Sequence, residues 1–71
     1  MSSELDHLIK MINQIASNIA IGENDTVASE KVADHIRRFW AKSMKQQIIS
    51  YVEQGGDQLQ PAAIAAVRLL N

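Results

Sequence analysis

Leu5, Leu8, Ile12, Ile15 and Ile19 recur at spacings of three and four residues, and that rhythm constrains the fold more than any other feature. One helical face is thereby made apolar, with Ile9 and Ala16 widening it and Asp6, Lys10, Asn13, Gln14 and Ser17 lying opposite. The same period returns three more times, and no alternating strand pattern competes with it. The spacing predicts a first helix over about residues 4–20. Gly22-Glu23-Asn24-Asp25-Thr26 then forms a polar linker, in which Gly22 supplies a left-handed turn and Asp25 or Thr26 caps the next helix.

A second helix is expected from Val27 to Trp40, with Val32, Ile36 and Phe39 on its buried face and Ala33 and Trp40 on the flank. Asp34 and Arg38 stand four residues apart, the spacing of an exposed ion pair. Ser43 is the expected cap of a third helix, Met44 to Gln54, whose inward residues are Met44, Ile48, Tyr51 and Val52. Gly55-Gly56 stops that helix, and Pro61 opens a fourth at the position where its missing N–H costs nothing. Leu59 and Ile64 fall at the two positions of a hydrophobic staple. Residues 1–71 thus read as a single all-α domain, a small compact bundle of four short helices.

The composition narrows the chemistry. No cysteine is present, which excludes disulfides and thiolate-bound metal or iron–sulfur centres within the chain. His7 and His35 are too few for a histidine metal site, and no phosphate loop, nucleophile elbow or paired-carboxylate arrangement occurs. No catalytic, cofactor-binding or metal-binding residues are therefore assigned. The chain opens on Met1-Ser2-Ser3-Glu4 with no basic and apolar leader, and its apolar runs are short, so a cytoplasmic location away from the membrane is expected.

The formal net charge of −1 hides an asymmetry. Lys31, Arg37, Arg38, Lys42 and Lys45 crowd residues 31–45 against Asp34 alone, while the remaining acids far outnumber Lys10 and Arg68. A solvated helix face accounts for such a band, and so does an acidic partner. Phe39 reads as core. Trp40 reads as a cap on the core with Arg37 lying across its ring, or else as an interface anchor. His35 reads as a polar boundary residue.

Helix four adds apolar surface: Ala63, Ile64, Val67 and Leu70 face inward, and Ala62, Ala65 and Leu69 make a second apolar face behind them. The candidate partner-binding residues are Arg37, Arg38, Trp40, Lys42, Lys45 and Leu69.

Three stretches carry a resemblance. Met11-Ile12-Asn13-Gln14-Ile15-Ala16, then Val32-Ala33-Asp34-His35-Ile36-Arg37-Arg38-Phe39-Trp40 with Met44, then Gly55-Gly56-Asp57-Gln58-Leu59-Gln60-Pro61, occur in that order. Over about residues 8–67 the chain resembles the delta subunit of cytoplasmic NAD-dependent formate dehydrogenases. The matching signature positions are Asn13, Gln14, His35, Arg37, Arg38, Phe39, Trp40, Met44, Gly55, Gly56 and Pro61.

The resemblance implies a non-catalytic accessory subunit that stabilises or helps mature the alpha subunit. It further implies a complex in which the alpha subunit carries bis-molybdopterin molybdenum or tungsten and iron–sulfur clusters. The beta and gamma subunits would carry FMN and more clusters, with NAD as the acceptor. This chain would itself bind none of these, and self-association of the isolated chain stays open.

One rival comes from the residues themselves. Helix two, the Ala41-Lys42-Ser43 turn and helix three have the lengths of a DNA-binding helix-turn-helix, with Lys45, Gln46 and Gln47 near the start of the reading helix. The acidic remainder and the lack of a glycine in the turn argue against nucleic acid.

Overall fold

The computed structural model describes residues 3–19 and 21–70. Four helices succeed one another: α1 (Glu4–Ile19), α2 (Asp25–Phe39), α3 (Lys42–Glu53) and α4 (Pro61–Arg68). Among the described residues there is no strand, and the fold class is all-α as the periodicity predicts. A radius of gyration of 11.0 Å is what a chain of this length reaches when its helices pack on one another.

Each helix starts or stops for a local reason. Ser3 and Asp6 form a reciprocal cap on α1: the Asp6 N–H donates to Ser3 Oγ and the Ser3 N–H to an Asp6 carboxylate oxygen, both at 3.2 Å. α2 is capped by Asn24, whose Oδ1 accepts from the Val27 N–H at 2.8 Å, one residue earlier than the expected Asp25 or Thr26. An asparagine in extended backbone reaches the N–H three residues on, and this frees Asp25 to sit in the first turn beside the helix dipole. α3 also differs from expectation. Its cap position is Ala41, which offers no side-chain acceptor, and Ser43 lies inside the first turn.

The end of α3 is the firmest boundary. The Gly56 N–H reaches back to Tyr51 O at 3.1 Å and the Gly55 N–H to Val52 O at 3.0 Å, the paired bonds of a Schellman motif. Gly55 and Gly56 take φ of +130° and +61°, conformations that side chains disfavour. Pro61 then occupies the first turn of α4, as expected.

The five largest fully buried side chains come from all four helices: Ile12 of α1, Val32 and Ile36 of α2, Ile48 of α3 and Val67 of α4. Packing is most extensive between α2 and α4, where Ala28, Ala33, Ala63 and Ala66 are all fully buried. Small side chains at these places let the two backbones come close, which gains dispersion contact at little entropy cost.

Ala62 belongs to this buried face too, although the sequence assigns it to the reverse side of α4. An eight-residue helix wedged among three others buries more than one stripe. α2 and α3, though consecutive, barely touch, because α1 and α4 each pack against both of them.

The two adjacent aromatics part company. Trp40, 5% exposed, is core; Phe39, 70% exposed, is not, against the expectation that it would be buried. That expectation draws the stripe through the large residues Val32, Ile36 and Phe39. The stripe in fact includes the small residues Ala28, Ser29 and Ala33. At 100° per residue Ser29 and Ala33 flank the direction of Trp40, whereas Phe39 still falls between the buried Ala28 and Val32, so its exposure follows from its place in the last turn of α2 and not from its direction. Trp40 carries the buried face past the end of the helix in extended backbone (φ −90°, ψ 138°) and closes the corner into α3.

Candidate functional site

The basic band sorts into cations with duties inside the fold and cations without. Lys31 pairs with Glu23 at 2.7 Å and ties the α1–α2 linker to α2. Arg37 does not lie across Trp40. Its guanidinium donates to the Leu69 carbonyl at 2.6 Å, a bond spanning 32 residues that closes the C-terminal end of α4 onto α2. A cation there also complements the negative end of the α4 dipole. Lys45 is half-buried and reaches back from α3 to the Arg37 carbonyl at 3.4 Å, near the C-terminal end of α2. Leu69, 42% exposed, is held through its backbone while its side chain stays largely in solvent.

What remains lies at the corner between α2 and α3. Phe39 stands out from the last turn of α2 with its ring centroid 4.8 Å from that of His35, tilted by 46°. Arg38 makes the expected ion pair with Asp34, at 3.3 Å and with both side chains mostly exposed. Lys42, the first residue of α3, is exposed and makes no hydrogen bond or ion pair among the described residues. Of the six candidate partner-binding residues, the structure thus joins Arg37, Lys45 and Leu69 through internal bonds and buries Trp40. Arg38 and Lys42 are left in solvent beside Phe39. Neither the large nor the small residues of the α2 stripe signal that Phe39 lies at the surface; Ser29 and Ala33 signal only that Trp40 is buried.

The remaining signature positions take up structural work. Asn13 is a latch: its Nδ2 donates to Gln58 O at 2.7 Å, and its Oδ1 accepts from the Gln60 N–H at 2.9 Å. Gln60 Nε2 adds a bond to Ser17 Oγ at 2.7 Å, so the α3–α4 loop is tied to α1 at three points. Gly55, Gly56 and Pro61 shape that loop, and Met44 packs on the core from the side. Gln14 is exposed.

Two open grooves complete the surface. One, of about 450 Å³, runs along α3 beside Leu5 and is lined by uncharged Ser43, Gln46, Gln47, Ser50 and Gln54. The other, of about 220 Å³, is lined by Asp25, Thr26, Ser29, Glu30, Ala65 and Leu69. In neither, among the described residues, is a serine or threonine hydroxyl hydrogen-bonded to a carboxylate; Ser29 Oγ in the second donates to the Thr26 carbonyl at 2.9 Å. Among the described residues, no group of three or more His, Asp or Glu is placed to hold a metal ion, and no helix is long and apolar enough to cross a membrane.

The described residues thus form a small four-helix domain that uses polar side chains such as Asn13 and Gln60 to hold its own loops and leaves an aromatic–cation corner in solvent. Over residues 7–67 the sequence matches the NADH-dependent formate dehydrogenase delta subunit family, FdsD, and the chain belongs to that family. No curated protein and no solved structure matches it.

Proposed function

We propose that this chain is a non-catalytic accessory subunit of a cytoplasmic NAD-dependent formate dehydrogenase, binding the molybdopterin-carrying alpha subunit and stabilising it or helping it mature. Family membership over residues 7–67 is the observation that carries this reading. The cofactors of the reaction (bis-molybdopterin molybdenum or tungsten, iron–sulfur clusters, FMN and NAD) then belong to the alpha, beta and gamma subunits. The role of the present chain is to add buried surface to a larger neighbour, and a domain of this size has exposed apolar side chains to contribute: Phe39, Leu69, Met11 and Ile21.

The helix-turn-helix rival has less support. Such a motif relies on its two helices bracing each other across the turn, whereas α2 and α3 barely touch. Two of the cations that would meet phosphate, Arg37 and Lys45, are also turned to backbone carbonyls within the chain.

The test is reconstitution. Formate dehydrogenase prepared without this chain should bind it at one copy per alpha subunit and gain thermal stability or cofactor retention. The isolated chain should show no formate oxidation of its own. A chain that neither binds the complex nor changes its stability would overturn the accessory role.

A further inference from the structure

We infer that the α2–α3 corner is a docking surface for an acidic segment carrying an apolar side chain on the partner subunit, with Phe39 as anchor and Arg38 and Lys42 as its charge contacts. The inference rests on the accessory role proposed for the chain and specifies the chemistry of the contact.

Phe39 is the first reason. Among the described residues it is the most exposed large apolar side chain within any of the helices, and its ring rests tilted against His35, which narrows the orientations open to it. An aromatic restricted in advance loses less conformational entropy on docking. An exposed aromatic next to an arginine is also the composition from which interface hot spots are drawn.

The second reason is charge. Once Lys31, Arg37 and Lys45 are assigned to their internal bonds, Arg38 and Lys42 are the cations left at this corner. The ion pair of Arg38 with Asp34 lies in solvent, where such pairs contribute little, so its guanidinium is available to a better-placed carboxylate. Lys42 occupies the first turn of α3, the end of a helix where a cation is disfavoured, and no acid accompanies it in that turn. Its position does nothing for α3. A carboxylate brought by a partner would answer both charges, with Asp34 the single acid of this chain between residues 31 and 45.

A second copy of this chain also has acids beside apolar side chains, in the groove lined by Asp25, Glu30, Ala65 and Leu69. That contact closes as a dimer only if it forms twice about a two-fold axis, and otherwise propagates into rings or filaments. Charge complementarity of Arg38 and Lys42 to a carboxylate, together with membership of a delta-subunit family, makes the partner subunit the occupant we assign.

The experiment titrates wild type, Phe39→Ser and the double variant Arg38→Glu/Lys42→Glu against formate dehydrogenase prepared without this chain, at low and high salt. Thermal melts run alongside. Phe39→Ser should weaken binding by about 30-fold or more, the loss typical of a hot-spot aromatic, with the melt unchanged. The charge reversal should slow association at low salt and matter less at high salt.

If wild type binds and both variants bind equally well, the corner is not the docking surface although the accessory role stands. If wild type does not bind at all, both readings fall. If sedimentation finds wild type assembling with itself and Phe39→Ser monomeric, the occupant is a second copy and the partner assignment is wrong.

Discussion

The loop from Gly55 to Gln60 and the corner from Phe39 to Lys42 are both short connections at the surface, and they use their polar groups in opposite ways. In the loop the donors and acceptors are largely turned inward. Gly55 and Gly56 close α3, Gln58 and Gln60 bond Asn13, and Gln60 also reaches Ser17. At the corner a phenylalanine stands 70% exposed, and a lysine has no partner among the described residues. A segment that satisfies itself serves the fold; the ring and the free charge left in water are what the docking proposal rests on.

The sharpest way to break the contrast is within the corner itself. Trp40→Ala should cost about 3–5 kcal/mol, since it empties a buried site in a small core, and circular dichroism should find the domain largely unfolded. Its neighbour gives the opposite expectation: Phe39→Ser should hold stability within about 0.5 kcal/mol in a urea melt. Equal losses at the two positions would mean that Phe39 does structural work after all.

On the loop side, Gly55→Ala should cost about 1–3 kcal/mol. The added Cβ would meet only the movable Asp57 carboxylate at 3.2 Å, so the penalty is the strained backbone at φ +130°. Asn13→Ala removes two hydrogen bonds and should cost about 1–2 kcal/mol, with faster amide exchange at Gln60 as the local readout. Smaller than either loop change, Arg37→Ala should cost about 0.3–1 kcal/mol and show as fraying of the last turn of α4 in hydrogen exchange, with the rest of the chain unmoved. Loss of partner binding in that variant would therefore report on α4, while Arg38 and Lys42 report on contact.

The sequence reveals most of what depends on near neighbours. The four helices lie within three residues of where periodicity, Gly22, Gly55-Gly56 and Pro61 put them, and the Asp34–Arg38 pair forms as spaced. Local competition accounts for the differences at the caps. Asn24 takes the Val27 N–H and starts α2 ahead of Asp25 and Thr26, and α3 begins before its serine. The roles of Asn13 and Arg37 are not legible in sequence, because their partners lie 45 and 32 residues away and only packing brings them close. Phe39 departs from expectation for a different reason: its direction is that of the buried Ala28 and Val32, but it stands in the last turn of α2, which barely meets α3. Ser29 and Ala33, which flank the direction of Trp40, favour it as the core aromatic. That difference bears directly on the site, since the ring expected inside is the one presented to solvent.

Oxidative footprinting of this chain, free and then within the formate dehydrogenase complex, tests the central claim most directly. Protection of Phe39 and His35 on assembly, with the Gly55–Gln60 loop labelled equally in both states, is the expected result. Unchanged labelling at Phe39 with new protection across that loop would contradict the account, placing the partner on the end of the molecule assigned here to the fold alone.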